Sequence, residues 1–436
     1  MAIDTDYFDK RLAERLEWFQ DMKFGLFTHW GIYSQWGCIE SWPLVEVDEW
    51  ARTDDLKAWT DRNKDMEWFK RDYWKLNETF NPTKFDPQKW ADAAKYAGMK
   101  YIAFTTKHHD GFCMFDTKLT DYKITSPKCP FSKDPRANIA KEVFGTFRSE
   151  GFGIGVYFSK ADWNSPYYWN PNTPAKTRNP NYDTHENPEK WDKFVQFVHG
   201  QIEELMTEYG PADILWLDAG QVRPPDQDIQ MDKIAEMARK HQPDLVVVDR
   251  TVGGKYENYR TPEQEVPDKP LDYVWESCLT MGTQWSYKPD DVYKSTRDLI
   301  HLLINVVSKG GNLLLNIGPQ PDGEFPPTSL ERLKEIGDWM AINSEAIHGT
   351  RVWRETTDGE NVRYTRKGSD VYAICLEKPK SELTLDAPVV NIDVKISLLG
   401  ENREIKWKYE DGKLKINMPD GVSDQHAYVF KLIGVE

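Results

Sequence analysis

No apolar stretch in this 436-residue chain approaches the length of a membrane span. Mean hydropathy is −0.70 and 29% of the residues are charged. Basic residues are in deficit: 56 Lys and Arg against 71 Asp and Glu give a net charge of −15. That excludes the broad basic face a nucleic-acid partner requires. The five cysteines (Cys38, Cys113, Cys129, Cys278, Cys375) are scattered, odd in number and without CxxC spacing. They read as reduced thiols, not as a disulfide framework or a zinc site. No GxGxxG or GxxxxGK[ST] phosphate loop occurs, and there is no internal repeat or low-complexity tract. Met1-Ala2-Ile3-Asp4 runs directly into a charged helix, without the apolar core of a signal peptide. A complete chain of this kind reads as cytoplasmic, one with a trimmed leader as periplasmic or secreted. Oligomeric state is left open.

Aromatic residues, by contrast, are plentiful: 18 Trp, 20 Tyr and 19 Phe. A large core consumes many of them, but such a supply also suits a carbohydrate partner, whose C–H faces stack on rings. The length exceeds one ordinary core and fits a barrel of roughly 300 residues plus a small domain.

The pattern alternates helix and strand. Phe8, Leu12, Leu16 and Phe19 share one helical face, and a short strand follows from Phe24 to His29. Asp86-Pro87 starts a helix that Gly98 stops. Strands are expected at Tyr101 to Thr106, Gly153 to Ser159, Asp213 to Leu217, Leu245 to Val248, Tyr273 to Trp275 and Asn312 to Ile317. Amphipathic helices lie between them, the longest carrying Trp191, Phe194, Val198, Ile202 and Leu205 on one face. This series predicts an α/β fold: a TIM-like (β/α) barrel over residues 1–348, with irregular helices allowed. An open doubly wound sheet is the alternative. Past Gly349 the pattern turns to short strands, at 371–375, 382–385, 394–398, 414–418 and 428–432. Residues 349–436 therefore read as a small C-terminal β-sandwich.

Chemistry-bearing residues gather at the expected strand ends. The fourth strand runs Ile214-Leu215-Trp216-Leu217 into Asp218, placing an indole and a carboxylate on the same side. The first strand ends at His29, the second at His108-His109 and the third at Tyr157 to Ser159. The fifth ends at Asp249-Arg250 and the sixth at Trp275-Glu276. One such residue would pass as a helix cap. Caps, however, need neither histidines nor tryptophans, and the ends agree. Two carboxylates on different barrel strands, Asp218 and Glu276, are what a glycosidase needs. One attacks or stabilises the anomeric carbon, and the other protonates the leaving oxygen. Glu263, in Thr261-Pro262-Glu263, is the second candidate for the acid. The Glu40-Ser41-Trp42 loop sets a further carboxylate beside an indole. The histidines fit sugar-hydroxyl recognition, a structural role or a metal. Metal binding is disfavoured because adjacent His108 and His109 would point to opposite sides of an extended strand.

Taken together, Phe24-Gly25-Leu26-Phe27-Thr28-His29-Trp30-Gly31, Lys107-His108-His109-Asp110-Gly111, Trp216-Leu217-Asp218, Trp275-Glu276-Ser277-Cys278 and the 310–319 segment Gly-Gly-Asn-Leu-Leu-Leu-Asn-Ile-Gly-Pro resemble the motifs of the α-L-fucosidases, glycoside hydrolase family 29. The resemblance spans about residues 6–350. It implies a retaining exo-α-L-fucosidase acting on fucosylated oligosaccharides or glycoconjugates, without cofactor, metal, nucleic acid or membrane. It assigns Asp218 as nucleophile and Glu276 as acid/base. His29, Glu40, Trp42, His108, His109, Tyr157, Trp216 and Arg250 match fucose-pocket positions. One departure is that Ser41 separates Glu40 from Trp42, where the family carries the pair side by side. An α-L-galactosidase and a non-catalytic fucose lectin are the alternatives.

Overall fold

The computed structural model describes residues 10–436, with the backbone only at residues 391–393. Seven strands form one parallel sheet: β1 (Phe24–Thr28), β2 (Tyr101–Lys107), β3 (Gly153–Ser159), β4 (Ile214–Asp218), β5 (Val246–Asp249), β6 (Glu276–Thr280) and β7 (Asn312–Ile317). Their order is β5-β4-β3-β2-β1-β7-β6. Every residue of these strands is buried. That explains why they read as continuous apolar runs and not as alternating ones.

Residues 258–264 close the gap between β5 and β6. The Asn258 N–H donates to the Val247 carbonyl on one side (2.8 Å). On the other side Cys278 donates to Pro262 (3.1 Å) and Gln264 to Cys278 (3.0 Å). Pro262 has no N–H to give, so this stave cannot form a regular ladder. The barrel is thus complete but irregular.

Side-chain alternation divides the strands between two cores. Ile102, Phe104, Leu215, Leu217, Leu313 and Leu315 face outward into the layer shared with the helices. Tyr101, Ala103, Ile214, Trp216, Val246, Val248 and Leu314 face the barrel interior. Leu12, Leu16 and Phe19 of the helix Lys10–Met22 join the interior set and plug one end. Phe8, expected on the same face, lies outside the described residues. Around the barrel pack the helices Pro87–Tyr96, Ile139–Ser149, Pro188–Glu208, Met231–His241, Thr296–Ser308 and Pro327–Asn343. Asp86 caps the first of these by accepting from the Gln88 and Lys89 N–H groups. Gly98, just past its end, has φ +84°, which a side chain would resist.

The sixth strand departs from the sequence expectation. Tyr273 to Trp275 is apolar, but Val274 pairs only with the irregular stave, accepting from the Arg260 N–H (3.1 Å). The regular ladder begins one residue later, at Glu276 opposite Asn312. Glu276 therefore opens a strand instead of ending one.

The C-terminal region contains β8 (Thr357–Asp358), β9 (Val362–Lys367), β10 (Asp370–Cys375), β11 (Glu382–Leu385), β12 (Val390–Leu398), β13 (Trp407–Glu410), β14 (Lys413–Asn417) and β15 (Tyr428–Val435). They make a five-stranded sheet, β12-β15-β10-β9-β8, and a three-stranded sheet, β11-β14-β13. Strands β9 and β13 escaped the sequence pattern because they are rich in charge. Val371, Ala373, Cys375, Phe430 and Leu432 meet Leu385, Leu414 and Ile416 of the smaller sheet. The intervening Tyr372, Ile374 and Val429 pack into the barrel's helical layer. The Trp339 indole N–H, from a barrel helix, donates to the Ala427 carbonyl at 3.0 Å.

Gly25 lies on the interior face of β1, where a Cβ would sit 2.4 Å from the Tyr101 ring. Tyr101 is itself fully buried, so the ring has nowhere to retreat. Gly25→Ala is expected to destabilise the protein by roughly 1–3 kcal/mol through overpacking. A urea titration monitored by circular dichroism checks this, and an unchanged midpoint contradicts it.

Candidate active site

A cavity of about 390 Å³ opens at the C-terminal ends of the strands. Barrel enzymes do their chemistry at this face. It gathers residues from distant parts of the chain: His29 after β1, Glu40 and Trp42 from the next loop, and His108 and His109 after β2. Tyr157, Trp216 and Asp218, together with Arg250 after β5, complete the set expected from the sequence. Glu276 is absent from it.

Asp218 is the best-connected group. The Arg250 Nη1 donates to its Oδ1 at 2.8 Å, and the Tyr157 hydroxyl donates to its Oδ2 at 2.7 Å. Burial works against ionisation of this carboxyl. The Arg250 charge and the Tyr157 hydroxyl outweigh it and hold the pKa well below the usual carboxylate range. Asp218 is therefore an anion in a cavity walled by aromatic rings. A buried ion pair supports Arg250 from behind. Lys160, following β3, donates to the Oδ1 of neighbouring Asp249 at 2.5 Å.

The imidazoles are neutral. Burial pushes His29 and His109 down to about 4, and His108 well below its ordinary value. Their tautomers follow from the hydrogen-bond network. The Asn316 Nδ2 donates to the Trp285 carbonyl, so its Oδ1 accepts from His29 Nδ1 (2.8 Å). The Ser159 hydroxyl donates to the Ala161 carbonyl, so it accepts from His109 Nδ1 (2.6 Å). Each ring thereby keeps an unprotonated Nε2, ready to accept from a sugar hydroxyl. Glu40 accepts from the Ser286 N–H at 2.6 Å through Oε1, while its buried Oε2 has no partner among the described residues.

The two adjacent histidines do not face opposite ways as expected. Strand β2 ends at Lys107, and the turn beyond it brings both rings to the cavity with centroids 4.1 Å apart. His108, His109 and Asp218 bring ligand-type atoms within 4.8 Å of one another. Both Asp218 oxygens are already engaged, one of them by a cation.

Glu276 lies elsewhere. Its carboxyl is fully buried at the start of β6, accepting from the Tyr101 hydroxyl (2.6 Å) and the Trp216 indole N–H (3.1 Å). Burial pushes it up to about 7. Glu263 does line the cavity, its side chain 42% exposed, and it receives the Nη2 of Arg250. One guanidinium thus bridges Asp218 and Glu263. Sequence reasoning also missed Trp285, which packs 5.1 Å from His29, and Arg178, which lies over Trp42. Both sit on loops without periodicity. Correct placement of β6 would have exposed Trp285 as an aromatic just past a strand end.

Burial pushes Glu40 up to about 8, from an ordinary value near 4.5. Between those values the folded chain keeps a proton that the unfolded chain releases, so this contribution to stability declines as pH rises. The buried histidines act oppositely, but only up to about 6.5. Lys23, lowered to about 7 by burial, also acts oppositely above that pH. Comparison with Glu40→Gln isolates the effect. Relative to that variant, wild type should lose stability between pH 5 and pH 8 in urea unfolding. A constant difference would contradict it.

The chain matches the family model described as alpha-L-fucosidase over residues 4–345. It matches that of the alpha-L-fucosidase C-terminal domain over residues 355–433. It is 30% identical to the human tissue alpha-L-fucosidase over 453 residues, covering 96% of this chain and 89% of that protein. Among solved structures, alpha-L-fucosidase isoenzyme 1 from Paenibacillus thiaminolyticus superposes with a TM-score of 0.81. It is 30% identical and covers 98% of this chain and 100% of that one. The Thermotoga maritima alpha-fucosidase in complex with a mechanism-based inhibitor has a TM-score of 0.77 at 28% identity and 96% coverage of each chain. With its barrel, its C-terminal sheets and its cavity of neutral imidazoles around an ionised aspartate, the chain belongs to the α-L-fucosidase family of glycoside hydrolases.

Proposed function

We propose that the protein removes terminal α-L-fucose from fucosylated glycans by double displacement, with Asp218 as nucleophile and Glu263 as acid/base. The carrying observation is the single Arg250 guanidinium that holds both carboxylates at the cavity mouth. That span suits the short separation of retaining glycosidases, about 5–5.5 Å. The mechanism-based inhibitor bound by the Thermotoga relative is consistent with a covalent step.

An Asp218 oxygen attacks the anomeric carbon as the C1–O bond to the aglycone breaks. Glu263 gives its proton to the departing oxygen, which leaves as an alcohol. Water then attacks the fucosyl ester with Glu263 as base, and Asp218 leaves as a carboxylate. The neutral imidazoles and Glu40 recognise the sugar hydroxyls, while Phe27 and Trp285 offer an apolar wall for the C5 methyl. An arriving aglycone takes Glu263 away from Arg250 and buries it, so that it can hold a proton. No metal enters this reading, because Arg250 already supplies the positive charge beside Asp218.

Proton NMR should show α-L-fucose as the first-formed sugar. Asp218→Ala should turn over an aryl fucoside at less than about a thousandth of the wild-type rate, roughly 4 kcal/mol of lost stabilisation. Initial β-L-fucose, or a tenth of the activity surviving, defeats the assignment.

Glu263→Ala should lose far more activity on a fucosylated oligosaccharide than on an aryl fucoside, whose leaving group hardly needs a proton. Azide should restore its aryl-fucoside turnover and yield α-L-fucosyl azide. Equal losses on both substrates without azide rescue would remove Glu263 from the mechanism.

A further inference from the structure

Glu276 belongs to no step of that reaction, yet it is a fully buried carboxylate directly beneath the cavity. Among the described residues no ion pair reaches it. Its two oxygens accept from two different donors, Tyr101 Oη at 2.6 Å and Trp216 Nε1 at 3.1 Å. Trp216 lines the cavity and stacks on Tyr157 with centroids 5.3 Å apart and planes 25° from parallel. The Tyr157 hydroxyl donates to Asp218. Phe27 touches both rings, 5.2 Å from the indole and 5.8 Å from the phenol. A chain of contacts therefore runs from the buried carboxylate, through the indole and the phenol, to the nucleophile.

We infer that Glu276 is a positioning residue: it fixes the Trp216 indole as the cavity floor and, through Tyr157, the orientation of Asp218. The physical need is specific. A buried indole N–H without an acceptor costs about 1–3 kcal/mol, and the ring would turn to seek one. Stacking between rings resists sliding weakly, whereas a hydrogen bond at the indole edge sets rotation in the ring plane. A carboxylate is the group that can accept here from an indole and a phenol at once. Gln preserves the acceptor for Trp216 and can meet the Tyr101 oxygen with its amide N–H. Leu preserves neither. The inference rests on the cavity being the fucose site. Fucose binding to wild type, measured by calorimetry, tests that separately.

The experiment compares Glu276→Gln, Glu276→Leu, Trp216→Phe and Trp216→Phe/Glu276→Leu on an aryl α-L-fucoside. Inhibition by free fucose and thermal melting are recorded for each. Glu276→Gln should stay within about threefold of wild-type kcat/KM. Glu276→Leu should weaken fucose inhibition and lower kcat by roughly 100-fold, the scale of a displaced catalytic geometry. In the Trp216→Phe background the same change should cost less than about threefold, because the N–H it serves is gone. Three outcomes overturn the inference: Glu276→Gln inactive and rescued by azide, a folded Glu276→Leu with wild-type kinetics, or full additivity with Trp216→Phe. Should Glu276→Leu fail to fold, Trp216→Phe with and without Glu276→Gln decides. A loss in Trp216→Phe that Glu276→Gln does not deepen supports the role; Trp216→Phe with wild-type kinetics, or a further loss of about tenfold on adding Glu276→Gln, refutes it.

Discussion

Keeping one carboxylate charged inside an aromatic-walled cavity is the constraint around which the rest of this site is arranged. Desolvation alone would protonate Asp218 and remove its charge. The counter-charge of Arg250 reverses that, but a guanidinium at this depth must itself be held. The buried Lys160–Asp249 pair does so from the residue immediately before it, tying the end of β3 to the end of β5. Buried pairs of this kind add little net stability, since desolvation offsets their attraction. Their effect is geometric. They fix where a cation stands, and through it where an anion can exist.

The same dryness has the opposite effect on the histidines. Asp218 pulls the other way, from 4.0 Å at His109, but burial wins and the rings are neutral. A neutral ring with Nδ1 committed to Asn316 or Ser159 presents a lone pair at Nε2. A sugar is mostly hydroxyl donors and acceptors, and such a surface suits it without adding charge next to Asp218. One low-dielectric cavity therefore supports two protonation patterns, separated by whether a strong counter-charge is in contact.

Much of this was legible in the sequence because barrel strands are buried on both faces and their ends are not. Apolar runs located β1 to β5 and β7 closely, and the polar residues at the ends of β1, β2, β4 and β5 pointed to the cavity. The rule fails at Glu276 because the apolar run there precedes the strand. Val274 bonds to an irregular stave, and the ladder register starts at Glu276. Glu263 stands second to Glu276 in the sequence for a related reason. It follows a proline in a segment without apolar period, whose place in the wall depends on long-range closure. The histidine pair was misjudged because the two-residue alternation holds only inside a strand, and β2 stops one residue short of them. Local pattern carries strand positions well and chain direction changes poorly.

A barrel's two ends are usually given separate duties, stability at the base and chemistry at the mouth. Here the interior is only a few side chains deep, and Trp216 is long enough to touch both ends. Its ring edge bonds to Glu276 below while its face borders the cavity above. Phe19 and Tyr101 seal the base beneath that carboxylate. Any substitution that loosens this seal changes the solvation of Glu276 before it reaches the mouth. On the proposed role of Glu276, stability and catalysis are coupled through the thin barrel core, and the indole is the piece through which the coupling passes.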